Sequence, residues 1–261
     1  MPSFDESKAY KAKDKGIYYD DGREEELVKF IQERPRMQGS PFTILNAIDE
    51  FARTQRYLMN IGEDKGKIVT EVIQNTKPEV MVELGGYCGY STILFANAMR
   101  AAGGKKFYCL EKNPKFAKNI KTLVELAGLH DIVEVLVGSS DESINSLSGT
   151  QKESYKVDMV FIDHHKPLYT TDLKLCESLG FIGKGTVIIA DNVIYPGNPE
   201  YLKYVRSSVE EKRAAISTAE EGSQRGNPNL KYRSELRKSY EPSGEPDGVE
   251  ITVCEGEAHE S

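Results

Sequence analysis

The feature that most constrains this chain is a series of short, β-branched apolar runs separated by segments with helical spacing. The runs at 80–84, 106–110, 133–137, 157–162 and 187–190 are nearly continuous in apolar character. Strands read this way when helices cover both faces of a parallel sheet. Between them, 92–99 reads as a helix, and Phe116, Ile120, Leu123, Val124 and Ala127 fall on one helical face. Toward the C-terminus, 230–236 and 249–254 read as two strands with no helix between them, as an antiparallel hairpin at a sheet edge would. Three helices precede the first strand. They carry Leu27, Val28 and Ile31; then Ile44, Leu45, Ile48, Phe51 and Ala52; then Ile68, Val69, Val72 and Ile73, the last stopping ahead of Pro78.

The fold expected from this pattern is α/β, a Rossmann-like doubly wound and mostly parallel sheet with an antiparallel edge hairpin and an N-terminal helical cap. A length of 261 residues with 39% hydrophobic suits one such domain with additions. The reading divides the chain into a polar tail (1–21) and a single domain (22–254) made of a cap (22–77) and a sheet core (78–254). Residues 207–229 are polar with little periodicity and are expected to form a frayed helix end plus a mobile surface loop, and 255–261 an acidic disordered tail. Basic residues number 34 and acidic ones 41, so the net charge of −7 disfavours broad contact with phosphate backbones or anionic lipid. Cys88, Cys109, Cys176 and Cys254 are far apart with no CxxC pair, which suggests reduced thiols rather than a zinc knuckle or a disulfide framework. With no signal-like segment and no run of roughly 18–20 apolar residues, a soluble cytoplasmic protein is expected. Neither a nucleic-acid nor a membrane partner is expected, and the assembly expected is a monomer or weak homodimer.

A glycine turn, Gly85-Gly86-Tyr87-Cys88-Gly89, joins the first strand to a helix. A dinucleotide fingerprint beginning at Gly85 would need glycine at 87 and 90, where both residues are tyrosine. The turn therefore suits a nucleoside cofactor without a pyrophosphate better than NAD. Glu111, at the end of the next strand, is placed to accept ribose hydroxyls; the plainer alternative is a capping role beside Asn113 and Pro114. Two further strands end in Asp163 and in Asp191-Asn192. Parallel topology brings these tips to one edge, and two carboxylates with an amide oxygen suit Mg²⁺, a hard cation with oxygen ligands at about 2.1 Å. Helix capping remains the alternative for any one of them. Adjacent His164 and His165 would point apart in extended chain and make a poor zinc pair.

The motifs Tyr57-Leu58-Met59-Asn60-Ile61-Gly62, ELGGYCGYS around the glycine turn, LEKNP at Glu111, FIDHHK at 161–166 and GKGTVIIADNVIYPGNP at 183–199 occur in one order and spacing. Together they resemble the catechol O-methyltransferase family, over residues 24–208 and again over 232–255. The resemblance implies a single class I methyltransferase domain that moves a methyl group from S-adenosylmethionine to a catechol hydroxyl. It further implies Mg²⁺ held by Asp163, Asp191 and Asn192, with Lys166 as general base. The donor would lie against Met59, Ile61, Glu83, Gly85, Tyr87, Ser91 and Glu111, with Ser140 and His164 flanking its adenine and Asp163 shared between donor and metal. Lys166, Asn192 and Glu241 would meet the catechol oxygens, and Tyr57, His165 and Pro196 would clamp its ring. Animal members place tryptophans where Tyr57 and His165 stand, and this chain has no Trp. Alternatives left open are the same chemistry on a caffeoyl-CoA-like ester or a hydroxylated nucleoside, and an NAD-dependent dehydrogenase.

Overall fold

The computed structural model describes residues 3–13, 16–34, 39–149, 156–217 and 222–258. Helices α1 (Arg23–Gln32), α2 (Pro41–Thr54) and α3 (Gly62–Thr76) come before any strand. Then β1 (Val80–Leu84), α4 (Tyr90–Ala101), β2 (Lys106–Glu111), α5 (Pro114–Leu126), β3 (Val133–Val137), α6 (Ser140–Gly149), β4 (Met159–Ile162), α7 (Tyr169–Ser178) and β5 (Val187–Ala190) alternate. Helices α8 (Pro199–Arg206) and α9 (Val209–Ser217) lead to the hairpin β6 (Leu230–Tyr240) and β7 (Pro246–Glu257). The seven strands form one sheet in the order β3-β2-β1-β4-β5-β7-β6. The first five are parallel; β7 runs antiparallel to both β5 and β6. The expected fold class is the one observed.

Strand side chains alternate between two cores, one on each sheet face. Met81, Phe107, Cys109, Phe161 and Ile189 point into the core shared with α1–α5, whereas Val82, Leu110, Val160, Ile162 and Ile188 point into the core shared with α6–α8. Burial on both faces explains why these strands read as unbroken apolar runs instead of alternating ones. At the exposed edge, β6 carries Lys231, Arg233, Glu235, Arg237 and Lys238, charges that discourage a further strand from pairing there.

Several expectations need correction. The stretch 207–229 is not simply a loop: α9 occupies its first half, its Lys212 buried with Nζ donating to Leu230 O at 2.9 Å. Residues 218–221 lie outside the described residues. Glu255–Glu257, expected to be disordered, end β7, and 259–261 lie outside the described residues. The N-terminal segment, expected as a polar tail, is docked. Tyr10 is buried with its hydroxyl on Asp49 and Asn60; Tyr10 N donates to Pro242 O at 2.9 Å and Lys11 N to Ala52 O at 3.0 Å. Composition alone hid this because one aromatic ring per several polar residues is enough to anchor a segment.

The hairpin is fastened to α7 by a buried carboxylate. Glu177 accepts from Tyr204 Oη at 2.6 Å, Tyr232 Oη at 2.6 Å and Asn227 N at 2.9 Å. Replacing Glu177 with Ala strands these donors, each worth about 1–3 kcal/mol when left unpaired and buried. We expect Glu177→Ala to lower the urea midpoint by an amount equivalent to roughly 2–4 kcal/mol; an unchanged midpoint would remove the network from the stability account.

Candidate active site

The strand order reverses direction of growth between β1 and β4, and in such sheets the crevice outside the C-terminal strand ends receives ligands. A cavity of about 520 Å³ opens there. Of the residues expected from the sequence, Met59, Ile61, Gly85, Tyr87, Ser91, Glu111, Ser140, His164, Asp163, Asp191, Asn192, Lys166, Glu241, Tyr57, His165 and Pro196 line it. Glu83 does not. It is fully buried behind Ser91, takes the Thr92 hydroxyl, and leaves Oε1 without a hydrogen bond. Burial pushes its carboxyl up to about 7 against the hydrogen bonds of Ser91 and Thr92.

The donor-side half is shaped by backbone. Gly85 adopts φ +93°, and a Cβ there would come within 2.5 Å of Asp163 O, so this position requires glycine. Tyr87 also lies at positive φ, +46°. The turn aims two amides at Glu111: Gly86 N and Tyr87 N donate to Oε2 at 3.1 and 2.9 Å, while Asn113 N donates to Oε1 at 2.8 Å. A carboxylate offers about four acceptor positions, so Glu111 supports the helix entry and still has capacity for a ligand hydroxyl. The two readings of Glu111 are thus compatible. His164 stacks on Tyr169 at 5.1 Å and 8° and bonds Asp172 Oδ2 through Nε2 at 2.7 Å. Its buried Nδ1 has no partner among the described residues. With the proton on Nε2, that nitrogen is an acceptor awaiting a ligand donor.

The acceptor-side half is built from strand tips. Asp163 N bonds Leu84 O at 2.9 Å and Asp191 N bonds Ile162 O at 3.0 Å, extending the parallel ladders by one residue, and Ile162 pairs with Ala190. Asp163 and Asp191 therefore stand level on neighbouring strands. Asn192 then turns into the left-handed region (φ 55°, ψ 39°), a conformation asparagine tolerates well. Its Nδ2 donates to Glu241 and, at 3.1 Å, to Asp247, which leaves Oδ1 facing the cavity. Lys166 Nζ lies 2.6 Å from that oxygen, 3.1 Å from Asp163 Oδ1 and 2.6 Å from Tyr169 Oη. One cation is already balanced by the two oxygens expected to hold a metal. Asp191, buried beside them, has both oxygens against the Lys65 ammonium, Oδ1 at 2.8 Å and Oδ2 at 2.9 Å. Among the described residues no group of three or more His, Cys, Asp or Glu is arranged for a metal. Two acids and one amide oxygen make an all-oxygen set of the kind that could hold a hard cation.

Sequence reasoning missed Lys65, the centre of this half. It is fully buried, with Nζ 2.9 Å from Asp191 Oδ2, 2.6 Å from Glu241 Oε1 and 2.7 Å from Asp247 Oδ2. Burial alone would discharge the ammonium, but the three carboxylates overcome it and raise the pKa above the ordinary lysine value. Burial in turn raises Asp191 and Glu241 against the pull of Lys65, whereas at Asp247 burial is outweighed by Lys65 together with the hydrogen bonds of Glu241 and the Tyr195 amide, and the pKa falls. A signal existed: Lys65 lies four residues before Val69, on the face of α3 that also buries Gly66 and Ile73, and lysine on an apolar stripe is unusual. Asp247, also missed, takes Ile194 N at 3.2 Å and Tyr195 N at 2.8 Å and so positions the wall containing Pro196. Removing the ammonium while keeping its volume, as in Lys65→Met, strands three buried carboxylates and should cost about 3–5 kcal/mol. Denaturant titration checks this; a loss under about 1 kcal/mol would show that the carboxylates relax without their counter-ion.

Residues 82–193 match the family described as a methyltransferase domain. The chain is 39% identical over 189 residues to the catechol O-methyltransferase of Mus musculus, covering 71% of this chain and 69% of that one. Catechol O-methyltransferase B of Danio rerio matches with the same identity and coverage. Among solved structures, the O-methyltransferase from Bacillus cereus in complex with SAH superposes with a TM-score of 0.57 at 21% identity, over 91% of this chain and 93% of that one, which is a likeness of fold. A parallel sheet with a glycine turn at its switch point, acids at its strand tips and relatives this similar have one reading: the chain is an O-methyltransferase and belongs to the catechol O-methyltransferase family.

Proposed function

We propose that the protein transfers a methyl group from S-adenosylmethionine to one hydroxyl of a catechol, with Mg²⁺ as the metal. The observation that carries this reading is the convergence of Asp163 Oδ1 and Asn192 Oδ1 on a single cation, beside buried Asp191, within the cavity that also holds the glycine turn and Glu111. Asp163, Asp191 and Asn192 would hold Mg²⁺, which supplies Lewis acidity and a template for two vicinal oxygens. Glu111 would accept a ribose hydroxyl of the donor, and His164 Nδ1 a donor group of its base. Met59, Ile61, Gly85, Tyr87, Ser91 and Ser140 complete that surface, with Glu83 behind it.

Lys166 Nζ stands where a catechol hydroxyl would arrive. With Mg²⁺ held by Asp163 and Asn192 in its place beside those oxygens, Lys166 would act as the neutral amine and take that proton, the phenolic oxygen would form its bond to the methyl carbon, and the carbon–sulfur electron pair would leave with S-adenosylhomocysteine. Glu241 would meet the second hydroxyl, and Tyr57, His165 and Pro196 would hold the ring. Opposite charges are neutralised as the methyl moves, so alignment at about 3 Å and exclusion of water matter more than added charge stabilisation. Tyr57, only 2% exposed, contributes to that exclusion.

A methyl-transfer assay across vicinal diols and single phenols, with Mg²⁺ and with EDTA, tests the whole reading. Activity should be confined to diols and lost in EDTA; equal turnover of single phenols in chelator would refute it. Lys166→Met should lower kcat by roughly 10²–10⁴-fold, the usual contribution of a general base. Donor binding by calorimetry should be retained, and a variant at full rate excludes Lys166 as the base.

A further inference from the structure

The cavity is lined on one side by Tyr18, Tyr57 and Tyr195. Lys13 reaches this side from the N-terminal segment. Its Nζ lies 5.6 Å from the ring centroid of Tyr18, 5.5 Å from that of Tyr57 and 5.4 Å from that of Tyr195. Aromatic faces are electron-rich and attract a cation within about 6 Å of the centroid. The backbone that delivers this ammonium is fixed nearby, through Tyr10 N on Pro242 O at 2.9 Å and Lys11 N on Ala52 O at 3.0 Å.

Lys13 makes no ion pair among the described residues. The carboxylates that line the same cavity are already engaged: Asp191 and Glu241 by Lys65, Asp163 by Lys166, and Glu111 by three backbone amides. A cation at a cavity mouth without a protein counter-ion is a site for a ligand anion. The position of that anion rests on the catechol reading. Both ring oxygens must face Asp163, Asp191, Asn192 and Lys166, so a substituent on the opposite side of the ring leaves toward the mouth. There Lys13 is exposed and Tyr195 is 45% exposed.

We propose that Lys13, held among Tyr18, Tyr57 and Tyr195, is a specificity-determining residue that selects catechols carrying a carboxylate on the ring substituent over those carrying an ammonium. A carboxylate takes a charge-assisted hydrogen bond from Nζ without displacing it from the rings. An ammonium meets a like charge and finds the cation-attracting faces filled. The chain's net charge of −7 favours cations at long range, but salt screens that field beyond about 8–10 Å, leaving the local contact to decide.

The test compares kcat/KM for 3,4-dihydroxyphenylacetate, 4-methylcatechol and dopamine on the full chain, on Lys13→Met and on Lys13→Glu, with the melting temperature of each. The unsubstituted protein should prefer the acid to the amine. Lys13→Met should lower the acid-to-neutral ratio roughly two- to fivefold, through KM, as expected for an exposed ion pair. Lys13→Glu should reverse the order of acid and amine, and about 0.5 M salt should narrow the original preference. Preference of the unsubstituted protein for dopamine overturns the inference. So does a uniform fall on all three substrates in both variants, which would mark Lys13 as a docking residue only. If no catechol is methylated, the catechol reading itself fails; methylation with ratios indifferent to Lys13 overturns the selectivity alone.

Discussion

A buried ammonium carries a desolvation cost of several kcal/mol, which only close and complete pairing can offset. Lys65 meets that condition with carboxylates from separate parts of the chain. Asp191 follows β5, Glu241 lies in the turn after β6, and Asp247 belongs to β7. The cap helix α3, the sheet core and the edge hairpin are thereby tied at one atom. Glu241 and Asp247 also take the Asn192 amide protons and so decide which end of that amide faces the cavity. Asp247 reaches further, through the amides of Ile194 and Tyr195, to the wall beside Pro196. The oxygens proposed to hold a metal are thus aimed by the ammonium buried behind them.

The two halves of the cavity are built differently. The donor side consists of strand ends, a glycine turn and amides that the fold supplies wherever β1 meets α4, with Glu111 as the main charged group. The acceptor side takes its walls from connecting segments: Tyr57 after α2, His165 after β4, Tyr195 and Pro196 after β5, and Lys13 and Tyr18 from the N-terminal segment. Loops on a rigid sheet are where substrate preference changes without disturbing the chemistry. The absence of tryptophan from a chain 39% identical to a catechol O-methyltransferase is consistent with that division. Tyrosine offers a narrower ring than tryptophan, and its hydroxyl suits a mouth open to water.

Much of the fold was legible because its signals are local. A strand buried on both faces must be apolar throughout, and a helix against a sheet must repeat its apolar residues every three to four positions. Asp163, Asp191 and Asn192 could be placed at one edge because parallel strands point their C-termini the same way, so sequence position at a strand tip implies a place in space. Reading 207–229 as a frayed helix end plus a mobile loop understated α9, because that helix is short and its buried Lys212 resembles any solvated lysine.

What the sequence determined by itself was the sheet, the edge where the chemistry sits, and the acids and lysine at that edge. What only the tertiary structure decided was how those groups are aimed and which side chains stand at the cavity's entrance. The bonds from Lys65 to Asp191, Glu241 and Asp247 span 126, 176 and 182 residues of chain. Lys13 meets Tyr195 across a comparable separation. No periodicity of 2 or 3.6 residues encodes partners that distant; they become neighbours only when the whole sheet closes and its hairpin folds back against the cap.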